Sequence, residues 1–450
     1  MNINSIYNVF FVGIGGIGMS AIARYFVALG KNVAGYDKTP SLITSDLEIL
    51  GVEIHFEDDI KNIPISYLNK EKTLVIFTPA IPKNHSELAY FKENNFNVLK
   101  RAQVLGMISK NTFCLAVAGT HGKTTTSAIL GHIMKSVNAT SFLGGISENY
   151  NSNLLLGEDK IWVVEADEFD RSFLQLHPNI ACITSMDADH LDIYKEATAL
   201  EESFIAFSKQ VSETLIIAKG LPIKGLTYAV NETADYMAFN MKIDSGKYIF
   251  DVKTPISAIK NIEFHLPGKH NVMNALAALA MANVYGISLE EIKKSLATFK
   301  GVKRRFTYKI KTPNFVLIDD YAHHPTEISA VENAIREIYP SEKVLVVFQP
   351  HLFSRTKDFA EDFAASLSKF DEVLLLDIYA ARELPIKGID ATWLLNKIEN
   401  KNKKLTRKKT LLKDIQQSSA KVVAMLGAGD IGVMISDITN QILKSSKNEI

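Results

Sequence analysis

Short apolar runs alternate along the chain with segments whose apolar residues recur at helical spacing. The first unit has apolar runs at residues 8–13 and 32–37, and between them Met19, Ile22 and Phe26 fall on one face of a helix. Strands that alternate with helices in this way are typical of α/β domains with mainly parallel sheets.

A second unit begins with a predicted strand at residues 112–118, a glycine-rich loop and a helix with Leu130, Ile133 and Met134 on one stripe. It continues, in chain order, with strands at 160–165 and 180–185, a helix at 271–285 that Gly286 ends, and a helix that begins at the capping box Ser288-x-x-Glu291. The unit has the same α/β pattern as the first.

The stretch GVKRRF at residues 301–306 indicates a crossing into a third unit. Its predicted strands are 315–319, 343–348, 372–377 and 422–426, and the basic run 397–409 is predicted to be a solvated helix end and loop. At about 150 residues per domain, the chain has room for three domains. We therefore expect an α/β protein with a Rossmann-like domain at 1–108, a central P-loop domain with a mainly parallel sheet at 109–300, and a second Rossmann-like domain at 301–450.

Composition narrows the class of protein. Lys plus Arg and Asp plus Glu both number 50, so the net charge is zero and gives no support for nucleic-acid or membrane-surface binding. Cys114 and Cys182 lie in apolar runs without a CxxC pair, which favours free buried thiols in a reducing compartment. The N-terminal stretch resembles neither a signal peptide nor a membrane helix of ~20 residues. A cytoplasmic protein without membrane insertion is expected.

The first motif with chemical meaning is a glycine-rich turn between the first strand and helix. Such glycines let the backbone approach a diphosphate, which then sits on the amides at the helix N-terminus. Asp37 ends the next strand, where it can accept a hydrogen bond from a ribose hydroxyl. The residues predicted to bind substrate are Gly13, Gly15, Gly16, Ile17, Gly18 and Asp37. The alternative is a tight structural turn.

The second motif is the loop GTHGKTT at residues 119–125, which follows a strand and opens a helix. Loops of this kind hold phosphates on successive amides, the lysine reaches the β and γ oxygens, and the next hydroxyl can bind Mg²⁺. Val117 stands where the strict pattern has glycine, so the loop is a variant. We expect ATP at Gly119, Thr120, His121, Gly122, Lys123, Thr124 and Thr125, with a glycine-rich helix entry as the alternative.

Acidic residues and a histidine follow the next two strands: Glu165, Asp167, Glu168, Asp187, Asp189 and His190. Carboxyl ends of parallel strands meet at one edge of a sheet, beside the phosphate loop. Oxygen ligands there can hold Mg²⁺, and an imidazole can complete a second site. Glu165, His190 and Thr124 are the predicted metal ligands, whereas the other acids fit polar loop residues equally well.

The two nucleotide motifs together restrict the function. A nicotinamide-dependent dehydrogenase would use only the first motif, and a simple kinase or a non-catalytic P-loop switch only the second. An enzyme that holds a nucleotide-linked substrate in one domain and ATP in the next uses both.

With these motifs the chain resembles the Mur ligase family, and most closely its alanine-adding branch. The motifs that carry the resemblance run from Gly13 to Gly432: GIGGIGMSAIA, AGTHGKTTT, EADEFDRSFL, DADHLDIY, GKHNVMNALAA, VKRRF, DDYAHHPTEI, FQPHLFSRT and LGAGDIG. The resemblance implies ATP-dependent joining of L-alanine to the carboxylate of UDP-N-acetylmuramate through an acyl phosphate, with two Mg²⁺ ions. A ligase that adds a recycled murein tripeptide to the same acid is the alternative within the family.

The resemblance also implies roles for residues outside the two glycine-rich motifs. The expected adenosine contacts are His270, Asn271, Asn274, Asp320 and Tyr321. Lys123 and Arg305 would meet the phosphates, and His190 would bind the second metal ion. His323, His324, His351 and Arg355 would line a cleft near the γ-phosphate and the amino acid, where a histidine would deprotonate the amine. A helix start at Pro325 is the structural alternative for His323 and His324.

Two departures from the family's pattern stand out. Many relatives have an arginine after the histidine of QPH, where this chain has Leu352, so Arg355 is the candidate to supply that contact. Ile205 lies at the offset where several Mur ligases carry a carbamylated lysine, so no such modification is expected. The expected partners are the two small-molecule substrates, without nucleic acid, and the expected state is a monomer or homodimer.

Overall fold

The computed structural model describes residues 6–187, 197–244, 246–381 and 383–447. It contains three β-sheets, each covered by helices. The chain divides into two compact units. The first unit is Met1–Lys242, Ile249–Phe264 and Met273–Lys300, and the second is Ile243–Tyr248, His265–Val272 and Gly301–Ile450.

The first sheet has five strands in the order β3-β2-β1-β4-β5, and all its pairs are parallel. This order places the end of the first strand at the point where the chain direction across the sheet reverses, which is where dinucleotide-binding folds hold their ligand. The strands β1 to β5 are, in chain order, Asn8–Val12, Asn32–Tyr36, Glu53–His55, Thr73–Phe77 and Asn97–Lys100. The helices α1 to α4 are Ile17–Ala28, Leu42–Ile49, Ser86–Glu93 and Arg101–Ser109.

The second sheet has ten strands in the order β15-β14-β13-β12-β11-β10-β6-β9-β7-β8, and the pairs around the phosphate-loop strand β6 are parallel. Its strands β6 to β15 are, in chain order, Phe113–Ala118, Ala139–Ser147, Ser152–Leu155, Glu158–Glu165, Ile180–Ile183, Thr214–Ala218, Leu226–Val230, Tyr236–Asp244, Lys247–Lys253 and Ala258–Phe264. The helices α5 to α8 are Lys123–Met134, Ala197–Ser208, Lys269–Tyr285 and Leu289–Thr298.

The third sheet has six strands in the order β16-β17-β21-β18-β19-β20, and only its edge strand β16 is antiparallel among the described pairs. Its strands β16 to β21 are, in chain order, Thr307–Lys311, Val316–Asp320, Val344–Phe348, Glu372–Leu375, Lys403–Leu405 and Val422–Leu426. The helices α9 to α14 are Pro325–Ile338, Phe353–Asp358, Ala360–Leu367, Ala391–Lys397, Leu411–Gln417 and Ile431–Lys447. The predicted α/β class with mainly parallel sheets is confirmed.

Helix α1 joins the first two sheets inside the first unit. Its Tyr25 ring packs edge-on against Phe142 at 5.5 Å and Trp162 at 5.3 Å, both from the second sheet. The fully buried Asn153 amide on β8 donates to the Ile17 carbonyl at 2.6 Å and to the Ser20 hydroxyl at 2.9 Å. These contacts fix the glycine-rich turn against the domain that carries the phosphate loop.

Two further observations concern the cysteines and the length and polarity of the helices. Cys114 and Cys182 are free and buried, as expected, and burial raises the pKa of each thiol to about 12. Among the residues that the structure describes, every helix is too short or too polar to cross a lipid bilayer.

Candidate functional site

The phosphate loop connects β6 to α5 with backbone angles that require glycine. Gly119 has φ +134°, and a Cβ there would lie 2.1 Å from the Thr184 hydroxyl. Gly122 has φ +83° directly before the helix begins, and a Cβ there would lie 2.6 Å from the Asn274 side-chain oxygen. Both positions therefore exclude other residues, and the loop amides stay at the N-terminus of α5, where anions are favoured.

Lys123 is the first residue of α5, and its ammonium group lies over the loop. Nζ donates to the carbonyls of Gly119 at 2.6 Å and Thr120 at 3.2 Å, and to the Glu168 carboxylate at 2.9 Å. Burial lowers the pKa of Lys123, but Glu168, Glu165 and Asp167 together raise it further, so the net shift is upward. The lysine is therefore charged, as a phosphate-binding group must be.

Side chains from the segment directly after β10 support the loop, and sequence reasoning missed them. The Ser185 hydroxyl accepts from the His121 N–H at 2.8 Å and pairs with the Thr120 hydroxyl at 2.9 Å. Thr184 donates to the Ala118 carbonyl at 3.1 Å. These residues had been predicted to lie in the strand itself, but the strand ends at Ile183. The available signal was that Thr184 and Ser185 come at the carboxyl end of a strand, at the edge of the sheet where the loop lies.

Thr124 and Glu165 are the predicted metal ligands that the structure brings together. The Thr124 hydroxyl donates to Glu165 Oε1 at 3.1 Å, and Ser127 donates to Oε2 at 3.3 Å. Hydroxyl and carboxylate oxygens are ligand types that Mg²⁺ prefers, so this pair fits a magnesium ion. No group of three His, Cys, Asp or Glu side chains arranged to hold a metal occurs in the described part of the chain.

The acids after the next strand are only partly described. Asp187 donates its N–H to the Thr120 hydroxyl at 3.0 Å, and its carboxylate lies 3.5 Å from His121 Nε2. Asp187 therefore supports the phosphate loop. Asp189 and His190 lie outside the described residues.

The glycine-rich turn after β1 is held by the acid that was predicted to bind ribose. The Asp37 carboxylate accepts from the Gly15 N–H at 2.7 Å and from the Thr39 N–H at 3.3 Å. Gly13 adopts φ +92° and donates its N–H to the Tyr36 carbonyl at 2.8 Å. Gly16 caps α1 without a side-chain hydrogen bond, so the Ile17 and Gly18 amides begin the helix beside the turn.

A cavity of about 230 Å³ lies between this turn and the second sheet. Gly16, Ile17 and Gly18 line it on one side, and Glu165 and Asp167 on the other. Both lining groups belong to the first compact unit. The cavity therefore brings the proposed diphosphate turn and the proposed metal carboxylate into one space.

Arg101 is the lining residue that sequence reasoning missed. It begins α4, directly after β5, at the same carboxyl edge of the first sheet as the glycine-rich turn. Its Nη2 lies 2.9 Å from Asp167 Oδ2, and a Cβ on Gly18 would lie 2.6 Å from its Nη1. No motif marked it, because a single arginine after a strand has no recognisable pattern.

In the second unit, Arg305 and His323 share one acid. Arg305 Nη1 lies 3.5 Å from Glu327 Oε1, and His323 donates its backbone N–H to Glu327 Oε2 at 2.9 Å. The Arg305 guanidinium lies 5.2 Å from the centre of the Tyr321 ring. Three of the predicted residues, Arg305, Tyr321 and His323, thus form one contiguous cluster around Glu327.

Asp320 and His270 are two buried ionisable groups near that cluster. Asp320 accepts from the Phe306 N–H at 2.6 Å and the Ala322 N–H at 2.7 Å. Burial raises the pKa of Asp320 to about 6, although Arg305 and these N–H groups lower it. Burial lowers the pKa of His270 to about 4, and the nearby Arg305 charge adds to the effect. The imidazole is therefore neutral at physiological pH.

The predicted residues of the adenosine-binding helix start, His270, Asn271 and Asn274, all lie on α7. Asn271 donates from its side chain to the Pro267 carbonyl at 2.6 Å. In the first unit, Asn274 accepts from the Thr126 hydroxyl at 3.2 Å, directly behind the phosphate loop.

His351 lies beside His323 at the carboxyl end of β18. The two rings are 6.2 Å apart, and the His351 ring stacks on Tyr379 at 5.8 Å. The next residue, Leu352, has φ +70° and donates its N–H to the Tyr379 carbonyl at 2.9 Å. Leu352 and Arg355 are both buried. The chain thus turns sharply after His351, and Arg355 follows one helical turn later.

His324 has the structural role that was the alternative to a catalytic one. It is the N-cap of α9, its Nδ1 accepts from the Thr326 N–H at 3.3 Å, and Pro325 is the first helical residue. Its ring packs edge-on against Phe359 at 4.8 Å. The buried His324 therefore fixes the helix start, while His323 faces Glu327.

Comparison with known proteins gives the same three-part division of motifs. The Mur ligase family catalytic domain matches residues 8–112, the Mur ligase middle domain 117–282, and the Mur ligase glutamate ligase domain 304–436. A UDP-N-acetylmuramate–L-alanine ligase from Flavobacterium psychrophilum is 61% identical over 446 residues, which cover 98% of this chain and 99% of that protein.

Two further proteins extend the comparison. The enzyme of the same name from Parabacteroides distasonis is 47% identical, with 99% of both chains covered. The crystal structure of the UDP-N-acetylmuramate-alanine ligase from Thermotoga maritima matches with a TM-score of 0.84 at 28% identity, covering 97% of this chain and 99% of that one.

Proposed function

This chain belongs to the Mur ligase family, and from that premise we propose how its residues carry out the reaction. The enzyme is an ATP-dependent ligase that joins L-alanine to UDP-N-acetylmuramate in peptidoglycan synthesis. Its fold is the three-domain α/β fold of that family.

An amide does not form from a free carboxylate and an amine at a useful rate, because oxide is a poor leaving group. In our proposal a carboxylate oxygen of UDP-N-acetylmuramate attacks the γ-phosphorus of ATP, and ADP leaves. The neutral amine of L-alanine then attacks the carbonyl of the acyl phosphate, and phosphate leaves. Phosphoryl transfer of this kind depends mainly on positioning and on cations near the three γ oxygens.

The phosphate loop would hold the triphosphate of ATP. Gly119, Thr120, His121, Gly122, Lys123, Thr124 and Thr125 would supply the amides and hydroxyls, with the charged Lys123 at the β and γ phosphates. This is supported by the raised pKa of Lys123 and by the two glycines whose φ values hold the loop open toward the helix N-terminus.

Magnesium would be held by Thr124 and Glu165, and His190 would serve a second ion. A divalent cation supplies charge neutralisation at the phosphate oxygens. Thr124 and Glu165 are already within hydrogen-bonding distance of each other, which supports their assignment to one ion.

The glycine-rich turn would bind the diphosphate of UDP through the amides of Gly15, Gly16, Ile17 and Gly18, and Gly13 would permit the turn. Asp37 would act mainly on the protein itself, since its carboxylate accepts from the Gly15 N–H. A bond from Asp37 Oδ1 to the nucleoside is compatible with this arrangement, because the contact of Oδ1 with the Thr39 N–H, at 3.3 Å, is exposed.

Residues outside the two glycine-rich motifs would supply the remaining contacts. Arg305 would meet the transferred phosphoryl group, and Arg355 would meet the carboxylate of L-alanine. Either His323 or His351 would accept the proton of the amine, since imidazole titrates near neutral pH. The adenosine contacts would come from His270, Asn271, Asn274, Asp320 and Tyr321.

One observation carries this proposal: a single cavity is lined both by the first turn of α1 and by Glu165. A sugar acid whose diphosphate lies on that turn would present its carboxylate toward the metal carboxylate. The cavity thus extends from the proposed site of the substrate's diphosphate to the proposed site of its reacting carboxylate.

The domain boundaries, compartment and assembly stay proposals. We propose domains at 1–108 for the UDP substrate, 109–300 for ATP, and 301–450 for closure and amino-acid binding, supported by the three sheets. A cytoplasmic location is supported by the two free buried cysteines, which suit a reducing compartment. A monomer or homodimer without nucleic-acid partners stays a prediction.

The test is phosphate release from ATP and Mg²⁺ with UDP-N-acetylmuramate and a panel of amines, with the mass of each product recorded. Release that requires L-alanine and yields the alanyl amide is expected. Release that ignores alanine and requires the murein tripeptide would instead support the alternative within the family. Reduction of NAD(P)⁺ without ATP consumption would overturn both.

A further inference from the structure

Arg101 is the cation in the cavity that the glycine-rich turn lines. The other charged residues that line this cavity, among those described, are the acids Glu165 and Asp167. The substrate that must enter carries a diphosphate and a carboxylate. An anionic substrate gains little from a cavity that presents carboxylates alone, so the position of the one guanidinium decides where an anion is stabilised.

The structure fixes the Arg101 guanidinium over the first turn of α1. A Cβ on Gly18 would lie 2.6 Å from Nη1, 3.1 Å from Cδ and 3.2 Å from Cζ of Arg101. Any side chain at position 18 would therefore displace the arginine. This gives Gly18 a reason distinct from close approach of a diphosphate: it leaves room for the cation beside the turn.

Asp167 holds the guanidinium from the other side. Its Oδ2 lies 2.9 Å from Arg101 Nη2, and the Arg101 side chain is only 19% exposed. One ion pair uses part of the five-donor guanidinium, and the planar fork can bind a phosphate with its other edge. Lys100, the preceding residue, instead pairs with Asp170 at 2.7 Å and does not line the cavity.

We propose that Arg101 binds the diphosphate of the UDP substrate together with the amides of Gly16, Ile17 and Gly18, and that Asp167 positions it. This inference rests on the proposed function of the glycine-rich turn. It assigns part of the diphosphate's charge neutralisation to α4 of the first domain rather than to the phosphate-loop domain. Arg101 thereby distinguishes a diphosphate-linked sugar acid from a free sugar acid.

The test is calorimetric titration of UDP and of UDP-N-acetylmuramate into the full-length protein and the variants Arg101→Ala, Arg101→Lys and Lys100→Ala. Arg101→Ala should lower the affinity for both ligands by roughly 10- to 100-fold, because a charge-assisted hydrogen bond is lost. Arg101→Lys should lie between the wild type and Arg101→Ala, because it keeps the charge and loses the fork. Lys100→Ala should bind like the wild type, although it removes the same charge from the adjacent position.

The outcomes separate this inference from the function on which it rests. A wild-type protein that binds neither ligand contradicts the proposed UDP site itself. Wild-type binding of UDP with unchanged affinity in a folded Arg101→Ala overturns the role of Arg101 alone. Weaker binding of UDP-N-acetylmuramate with unchanged UDP affinity also overturns it, because the arginine would then contact the carboxylate. The affinity of each variant for ATP should match that of the wild type.

A purely structural role for Arg101 predicts a different pattern. Asp167→Asn breaks the same ion pair but leaves the cation in the cavity. If Arg101 only secures the loop after β9, both variants should lose equal thermal stability and bind UDP equally well. Our proposal predicts that Asp167→Asn retains most of its UDP affinity and that Arg101→Ala does not.

Discussion

Lys123 in the first unit and His270 in the second are basic side chains that the surrounding protein desolvates. Nevertheless Lys123 is charged, whereas His270 is neutral. Burial lowers the pKa of both. Around Lys123, the carboxylates of Glu168, Glu165 and Asp167 outweigh that effect and the pKa rises. Around His270, the Arg305 charge adds to it, and the pKa falls to about 4.

Neighbouring charges, more than depth of burial, therefore decide which of these buried groups stay ionised. The phosphate loop keeps its cation ready for an anionic ligand by surrounding it with acids. The Arg305 region instead keeps a neutral imidazole next to a fixed cation, which suits hydrogen bonding rather than charge pairing. Substitutions in both units test this contrast.

Removing the cation of the phosphate loop should have the largest effect. Lys123→Ala should lower kcat by roughly 100- to 1,000-fold or more, because a charge that faces the transferred phosphoryl group is lost. Steady-state phosphate release measures it, with Lys135→Ala as the control, since Lys135 ends the same helix and lies over the Tyr150 ring. A folded Lys123→Ala enzyme with normal turnover would contradict the ATP assignment.

The neutral imidazole should be visible in the pH dependence of stability. The pKa of His270 is about 4 in the folded protein against 6.5 for an ordinary histidine, so its stabilising contribution is present above pH 6.5 and lost as pH falls toward 4. Between pH 7 and 5, His270→Gln should therefore lose about 2 kcal/mol less free energy of unfolding than the wild type. Urea unfolding at the two pH values measures this difference.

Asp320 supplies the opposite control for that experiment. Its pKa is raised to about 6, so its contribution is greatest below the ordinary value of 3.8 and is lost as pH rises through 6. Asp320→Asn should thus change the pH dependence in the reverse direction. Equal slopes for the wild type and both variants would show that neither group is shifted.

Weakening the acids around Lys123 should have a smaller effect than removing the lysine. Glu168→Gln removes one of the carboxylates that raise the pKa of Lys123, whereas burial still lowers it. The pKa of the lysine should therefore fall. The alkaline limb of the kcat/KM profile should move to lower pH, with roughly 10-fold lower activity at high pH. Glu158→Gln is the control, because its partner Lys160 is exposed. Superimposable profiles for Glu168→Gln and the wild type would argue against this account.

The smallest effect is expected at His324. Asparagine is a good N-cap, so His324→Asn should preserve the bond to the Thr326 N–H and keep kcat within about 2-fold of the wild type. His323→Asn, at the neighbouring position beside Glu327, should lose much more activity. The comparison of the two kcat values measures this, and equal large losses would give His324 a chemical role.

Much of the fold followed from local pattern. The first strand and the phosphate-loop helix were predictable because buried strands and glycine-rich turns leave strong local signals. The strands at Leu226–Val230 and Ala258–Phe264 were not predicted, since neither has a strict alternation of buried and exposed positions. Lys403–Leu405 forms an edge strand within the basic run that was predicted to be a helix end and loop. Its pairing with β19 decides its structure, and pairing is not local.

The site was predictable where one short motif holds the chemistry, and not where distant segments meet. Lys123 and Glu165 are marked by their own sequence surroundings. Arg101 reaches the cavity only because β5 is parallel to β4 at the edge of the first sheet. The contact of Asp37 with Gly15 likewise depends on the register of two strands, which the periodicity of each strand alone does not give.

We propose that the protein binds two different nucleotides at once, and this is tested by calorimetry. UDP-N-acetylmuramate is titrated into the wild type with and without a saturating non-hydrolysable ATP analogue, and then into Lys123→Ala. We predict one equivalent of UDP-N-acetylmuramate bound in all three titrations. Titration of the analogue itself should show binding to the wild type and its loss in Lys123→Ala. Competition between the two nucleotides for a single site, or loss of UDP-N-acetylmuramate binding in Lys123→Ala, would contradict the account.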